Sequence, residues 1–333
     1  MKLNYSFIIP VYNRPEEVKE LLESLVGLDF KGDYEIVIVE DGSQQTSEEV
    51  VKSFSSSLDI SYYFKENSGP GDSRNYGMEK AKGNYFIILD SDCILPSHYL
   101  KIVHEYLLNT FVHCFGGADA AHDSFSDLQK AINYVMTSFF TTGGIRGSEK
   151  SVNRFEPRSF NMGISKEAFQ NTEGFSKIHP GEDPDLSQRI LKLGYETVFI
   201  PNAFVYHKRR ISWKKFYTQV KKFGLVRPIL NKWHPNASKI TFWFPTVFMF
   251  FVILSVLGAI MINSLIILPL LFYISVILID SSIKNRSGYI GTLSVYAVFI
   301  QFFGYGFAFL KSTIFINLLK RDPEKQFPNL FFK

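Results

Sequence analysis

Along residues 1–206, short unbroken apolar runs alternate with segments whose apolar positions recur every three or four residues. The runs "SFIIPVY" (6–12), "YEIVIVEDGS" (34–43), "ISYYFKE" (60–66) and "YFIILD" (85–90) read as strands, rich in β-branched and aromatic residues. Val18, Leu21, Leu22 and Leu25 fall at i, i+3, i+4 and i+7, with Pro15 suited to a first helical turn. A polar, helix-capable stretch covers 46–57, and another helix is predicted around 71–82, stopped by Gly83. Strands that are apolar throughout, spaced by helices, predict an α/β domain with a mostly parallel sheet covered on both faces. Ligands of such sheets bind at the carboxyl ends of the strands. The pattern puts Asp41 and the pair Asp90 and Asp92 there.

After residue 206 the pattern changes. Residues 242–262 carry no charge over 21 positions, and 264–279 and 288–310 are also uncharged. About 20 apolar residues span a bilayer as a helix. The first stretch is long enough, and the second is short unless it extends through 280–283. The third holds Gly304 and Gly306, and apolar sequence resumes after Lys311, so a bend or re-entry is expected there. The segment 207–239 mixes Ile211, Trp213, Phe216, Tyr217, Val220 and Phe223 with Lys214, Lys215, Lys221 and Lys222. It fits a helix in the headgroup plane with its lysines reaching water; a soluble amphipathic helix is the alternative. The expected division is an α/β domain at 1–206, a basic juxtamembrane segment at 207–240 and a membrane region of two or three helices at 241–333.

Charge sharpens this division. Residues 1–206 hold 19 Lys+Arg against 29 Asp+Glu, whereas 207–239 hold 10 basic residues and no acid. An acidic domain does not suit nucleic acid, whose binding rests on neutralising phosphates. A basic band just before the apolar stretches suits a cytoplasmic membrane surface. By the positive-inside rule it places the α/β domain in the cytoplasm, and two spans return Lys284 and Arg286 to that side. A third full span would carry Lys320, Arg321 and Lys325 across, against the rule, so the side of that segment stays open. The two cysteines, Cys93 and Cys114, are too few for a disulfide framework and fit a reducing compartment. The opening "MKLNYSFIIPVYNRP" reads as a first strand and not as an export signal.

Candidate chemistry lies at the strand ends. Asp90 and Asp92 repel one another and need a positive partner, for which a divalent metal, Mg²⁺ or Mn²⁺, is suited. By itself Asp-x-Asp also suits a turn or a helix N-cap. "EDPDLSQRILKLG" reads as a helix with Asp183 at the N-cap, Pro184 at its first position and Gly194 just past its end.

"SFIIPVYNRPEEV", "VIVEDGSQQTS", "NSGPGDSRNYG", "FIILDSDCILP" and the segment from "FNMGISKEAF" to "NAFVYH" together resemble family 2 glycosyltransferases over about residues 5–210. These are inverting, nucleotide-sugar-dependent enzymes with a GT-A-type fold. The resemblance implies that Pro10, Tyr12 and Asn13 edge the base and ribose pocket, and that Asp41 contacts the nucleobase, usually uracil. Glu40 stands where the family often has Asp. It implies that Asn67, Gly69, Arg74 and Asn75 border the nucleotide, and that Asp90, Ser91 and Asp92 form the metal motif, with Asp92 the more direct ligand. His207 stands where a histidine often helps to hold the metal or diphosphate. Glu182 and Asp183 resemble the catalytic acid pair, with Asp183 the general base. "QVKKF" (219–223) echoes the Gln-x-x-Arg-Trp signature of processive synthases, with Lys222 and Phe223 in place of Arg and Trp.

The expected reaction moves a sugar from a nucleoside diphosphate, UDP foremost, to a hydroxyl of a lipid-linked or glycan acceptor in polysaccharide or glycolipid assembly. A polyprenyl-phosphate glycosyltransferase is a close variant. A nucleotidylyltransferase would leave Glu182 and Asp183 idle, and an inactive scaffold protein would not need the full acid set. Donor specificity is expected from residues 116–160, with an acceptor loop made mobile by Gly143, Gly144 and Gly147.

Overall fold

The computed structural model describes residues 2–120, 125–142, 155–207 and 212–332; the expected acceptor loop at 143–150 lies outside them. Strands and helices alternate as β1 (Tyr5–Val11), α1 (Pro15–Val26), β2 (Tyr34–Asp41), α2 (Glu48–Phe54), β3 (Ile60–Lys65), α3 (Pro70–Lys80) and β4 (Tyr85–Leu89). Then come β5 (Cys93–Ile94), α4 (Tyr99–Asn109), β6 (Cys114–Ala120), α5 (Asp127–Thr137), α6 (Phe139–Thr142), β7 (Asn161–Ser165), α7 (Lys166–Thr172), α8 (Glu182–Lys192) and β8 (Thr197–His207). The chain ends in α9 (Trp213–Trp233), α10 (Phe244–Met261), α11 (Leu268–Asn285), α12 (Gly288–Thr313) and a short α13 (Pro323–Gln326).

These elements form two compact units. One contains all eight strands, with α1–α4, α7, α8 and residues 331–332; the other contains α5, α6 and α9–α13. In the first unit the sheet order is β3-β2-β1-β4-β7-β6-β8-β5. The β3-β2-β1-β4 half is parallel. β7 runs antiparallel to β4 and to β6, and β5 antiparallel to β8, so the sheet is mixed. Alternation along β4 explains why its whole length is apolar. Tyr85, Ile87 and Leu89 join Leu21, Leu25 and Tyr99 in one core cluster, while Phe86 and Ile88 join Met78, Phe169 and Leu186 in another. Both faces are covered, as the unbroken runs predict.

In the second unit Phe216, Val220, Phe248, Leu270, Ile277, Val298 and Phe302 share one apolar cluster with Ile132, Val135 and Met136 of α5. The apolar stripe of α9, Phe216–Val220–Gly224, is therefore covered by protein. Three segments are long and apolar enough to cross a membrane: Ile240–Met261, Ser264–Asn285 and Gly288–Leu318. The second gains its length by running through Asp280, which is paired with Lys284 and Tyr134. The expected bend at Gly304 and Gly306 is not there: α12 runs unbroken through both. A Cβ on Gly304 would come within 2.8 Å of Val220, and one on Gly306 within 2.7 Å of the Pro245 carbonyl. These glycines let neighbouring chain approach closely, so their smallness is used for packing and not for flexibility.

Candidate active site

The carboxyl ends of β1, β2 and β4 and the start of α8 bring the acidic residues of the first unit to one rim. Near the end of β2, Glu40 is fully buried and accepts hydrogen bonds from Ser43 Oγ (2.5 Å), the Ser47 amide (2.9 Å) and Tyr62 (3.1 Å). It holds the turn. Asp41 accepts from Lys65 Nζ at 2.7 Å, the Ser68 amide at 3.0 Å and the Gly69 amide at 3.0 Å. Asn67 donates to the Asp41 carbonyl at 2.9 Å. Asp41 thus fixes the loop leading into α3, where Gly69 sits at φ +94°, a conformation that favours glycine. Asn13, at φ +54°, spends its side chain on the amides of Gln44 and Gln45. Pro10 lies within β1, and Tyr12 just beyond it is 53% exposed.

Asn75 is clamped to the backbone of Phe175 through both ends of its amide, at 2.8 and 2.9 Å. It therefore braces a loop from the underside of α3. Arg74, one residue earlier and 3% exposed, passes its guanidinium over the Phe175 ring, 5.3 Å from its centroid. Its Nη2 donates to Asp90 at 2.8 Å and its Nη1 to Glu182 at 3.1 Å. A single guanidinium thereby ties the Asp-x-Asp turn to the first turn of α8.

At that turn, Asp92 receives Arg14 on one oxygen and faces His207 Nε2 at 3.2 Å with the other. His207 is brought there by the β5–β8 ladder, in which Cys93 pairs with His207, and lies 3.8 Å from Asp90. Its ring stacks on Phe160 with centroids 4.8 Å apart. Ser91 is buried between the two acids. Burial alone would raise the Asp92 carboxyl, but His207 and Arg14 hold it well below the usual carboxylate range. Burial opposes the His207 cation, yet Asp92 outweighs it and the imidazole is raised above its ordinary value.

α8 starts two residues earlier than the sequence suggests. Gly181, at φ +126°, is its N-cap, so Asp183 is the second helical residue and makes no cap hydrogen bond. Glycine reaches that φ without strain, and Pro184 still falls in the first turn, where no backbone donor is needed. Two neighbouring carboxylates here take opposite characters. For Glu182, burial is outweighed by His179 (3.0 Å) and Arg74, which bring it down to about 2. For Asp183, burial and the adjacent Glu182 charge win over Arg74 and Arg158 and push it up to about 6. Asp183 Oδ1 is buried and has no hydrogen-bond partner among the described residues. Neighbouring acids pushed apart in this way are typical of acid/base assignments.

Two participants were not visible in the sequence. Arg14 is the residue before Pro15 at the start of α1, and nothing local says it reaches Asp92. His179 stands three residues before Glu182, and that spacing was the one available signal.

The family model for glycosyl transferase family 2 matches residues 6–172, half of the chain. The chain belongs to that family. Across 100 residues it is 39% identical to an uncharacterized glycosyltransferase of Rickettsia typhi, covering 30% of each protein. It spans only 15%, 22% and 30% of the length of relatives from Rickettsia bellii, Rickettsia felis and Rickettsia typhi. In fold, the chain is similar to the mannosyltransferase PcManGT of Pyrobaculum calidifontis, solved with GDP-Man and Mn²⁺. The TM-score is 0.57 at 15% identity, over 97% of this chain and 89% of that one. It is also similar to Staphylococcus aureus TarS residues 1–349 with UDP-GlcNAc, at a TM-score of 0.50 and 17% identity, over 93% and 91% of the two chains. The α/β unit is thus of GT-A type, followed by three apolar helices that could span a membrane.

Proposed function

We propose that this glycosyltransferase is a membrane-anchored, inverting enzyme. It moves a sugar from a nucleoside-diphosphate donor, UDP-linked foremost, to a hydroxyl of a lipid-linked or glycan acceptor. The observation that carries this reading is the Arg74 bridge, which unites the Asp90-Ser91-Asp92 turn with Glu182-Asp183. A departing diphosphate at the first and an incoming hydroxyl at the second would meet over one sugar. Neighbours in fold that hold GDP-Man and UDP-GlcNAc support the donor class.

The donor set suits Mn²⁺ or Mg²⁺. Ligand atoms of Asp92, Cys93 and His207 all lie within 4.8 Å of one another, and His207 Nδ1 is buried and unpartnered among the described residues. Burial and the nearby Asp92 charge raise the Cys93 thiol far above its ordinary value, and Mn²⁺ and Mg²⁺ favour oxygen ligands over a thiol. Asp92, with Asp90 and His207 beside it, would hold the cation, whose chemistry is Lewis-acid stabilisation of charge on the leaving diphosphate. Asp183 takes the proton from the acceptor hydroxyl on the opposite face. One direct displacement turns an α-linked donor into a β-linked product without a covalent nucleophile. Asp41 keeps the 67–69 loop in place for the nucleoside.

The test is a donor screen in detergent with Mn²⁺ or Mg²⁺, scoring released nucleoside diphosphate. Asp92→Ala is expected to raise the Mn²⁺ needed for half-maximal activity by more than about 10–100-fold, the range that loss of a mere supporting partner of a metal ligand already gives. Release of pyrophosphate would instead assign a nucleotidylyltransferase. An unchanged metal requirement in the variant would remove Asp92 from the site.

The anchoring reading includes an orientation. Phe331 forms an antiparallel bridge to Ile178 within the α/β unit, so the chain returns to that unit after α12. An even number of crossings is required, which three full spans do not give. In this reading α10 and α11 cross as a hairpin and α12, half of whose apolar window is buried, does not. Lys284, Arg286, Lys320, Arg321 and Lys325 then share the cytoplasmic side with the active site, as the positive-inside rule asks. In intact cells, a membrane-impermeant maleimide should label Asn263→Cys and spare Lys325→Cys until the membrane is opened. Labelling of both in intact cells would exclude this arrangement.

A further inference from the structure

The residues that follow α13 reach the active-site rim. The Phe332 amide donates to the Lys177 carbonyl at 3.1 Å, next to the Ile178–Phe331 bridge. Its ring lies flat against Gly69: a Cβ on Gly69 would stand only 2.3–2.6 Å from three of the ring carbons. The same ring has its centroid 5.9 Å from that of His179, which in turn pairs with Glu182 at 3.0 Å. Gly69 is the residue whose amide Asp41 holds. One aromatic side chain therefore touches both the loop assigned to the nucleoside and the loop that leads into Glu182 and Asp183.

Core packing does not account for the ring. Phe332 is half-buried and belongs to none of the apolar clusters; a glycine backbone and a histidine ring lie against it. A glycine at 69 both permits the loop's backbone angle and leaves the space that the ring fills. With the ring removed, the 67–69 loop would keep its ties to Asp41, Lys65 and the first turn of α3 but lose its contact with the 177–179 segment.

The geometry points to Phe332 as a positioning residue for donor binding: it seats the 67–69 loop against the 177–179 segment, so that the nucleoside site is already formed before the donor arrives. This rests on the glycosyltransferase reading above. Preorganisation of a loop acts on affinity, because the ordering cost is met before binding. The effect should therefore fall on the donor KM and leave kcat nearly unchanged.

Steady-state kinetics with the best donor of the screen test this. Phe332→Ala is expected to raise the donor KM about 5–20-fold with kcat within twofold, and Phe332→Tyr to keep KM within twofold of the parent. A donor KM unchanged in Phe332→Ala, or a lower KM, would overturn the proposal; the latter would make the ring a plug. A second readout does not depend on turnover. The three native tryptophans, Trp213, Trp233 and Trp243, all lie in the helical unit. In Phe332→Trp, uridine diphosphate should change the emission with a saturating dose dependence that the parent lacks; no change at concentrations that saturate the parent would count against the proposal. If the parent itself transfers no sugar, the glycosyltransferase reading fails; if it does and Phe332→Ala keeps its KM, only the role of Phe332 fails.

Discussion

Asp183→Asn is expected to lower kcat about 10²–10⁴-fold, the range that a positioned general base contributes. The donor KM should hardly move, since the base acts on the acceptor hydroxyl. The amide keeps the volume and half of the hydrogen-bonding capacity of the acid, so the start of α8 should still form. The same residue sets a pH profile. Its folded value of about 6 lies above its ordinary 3.8, because burial and the Glu182 charge disfavour the anion. The base is available above pH 6, so kcat/KM should fall tenfold per unit below that point and lose this limb in the variant. Stability should respond with the opposite sign. The folded protein binds this proton more tightly than the unfolded chain, so the Asp183 contribution grows as pH falls from 6 towards 3.8. An activity profile flat from pH 5 to 8 would exclude Asp183 as the base.

Arg74→Met should cost about 3–5 kcal/mol of stability, the usual penalty for stripping the partner from a buried ion pair. The Glu182 arm carries most of this, because that carboxylate is buried whereas Asp90 is one-third exposed. His179 remains at Glu182, which sets the lower end of the range. Arg74→Lys should recover part of the loss. An ammonium can meet one carboxylate but cannot fork between two. Thermal unfolding in detergent measures both variants; equal midpoints for parent and Met variant would mean that the bridge carries no net energy.

Much of this site could be read from local pattern. β2 and β4 announce themselves as apolar runs, and each stops on a carboxylate, so the rim bearing Asp41 and Asp90 follows from strand polarity alone. His207 could be placed because it ends the last strand. What the pattern could not supply were partners distant in sequence. Arg14 and Asp92 are 78 residues apart, Arg74 and Glu182 108 apart, and no local rule selects those pairs. Asn75 sits next to Arg74 in sequence, yet its amide is spent on the backbone of Phe175 and not on the acids of the rim. The start of α8 was misjudged because Asp-Pro is a strong start signal, while Gly181 offered a backbone angle that no propensity rule weighs. The apolar face of α9 reads as facing the membrane surface because apolar stretches follow it, yet protein covers it; an amphipathic stripe does not say what covers it.

The placement of α5 has a practical corollary. Ile132, Val135 and Met136 are all but inaccessible to water, and they are sealed by helices that come much later in the chain. The polypeptide thus leaves the α/β unit for the helical one and comes back before leaving again at α9. A fragment cut at residue 207 would keep α5 while discarding everything that shields it. Such a fragment presents a sticky apolar ridge to solvent and should aggregate. A soluble version is better sought by redesigning that ridge than by shortening the gene.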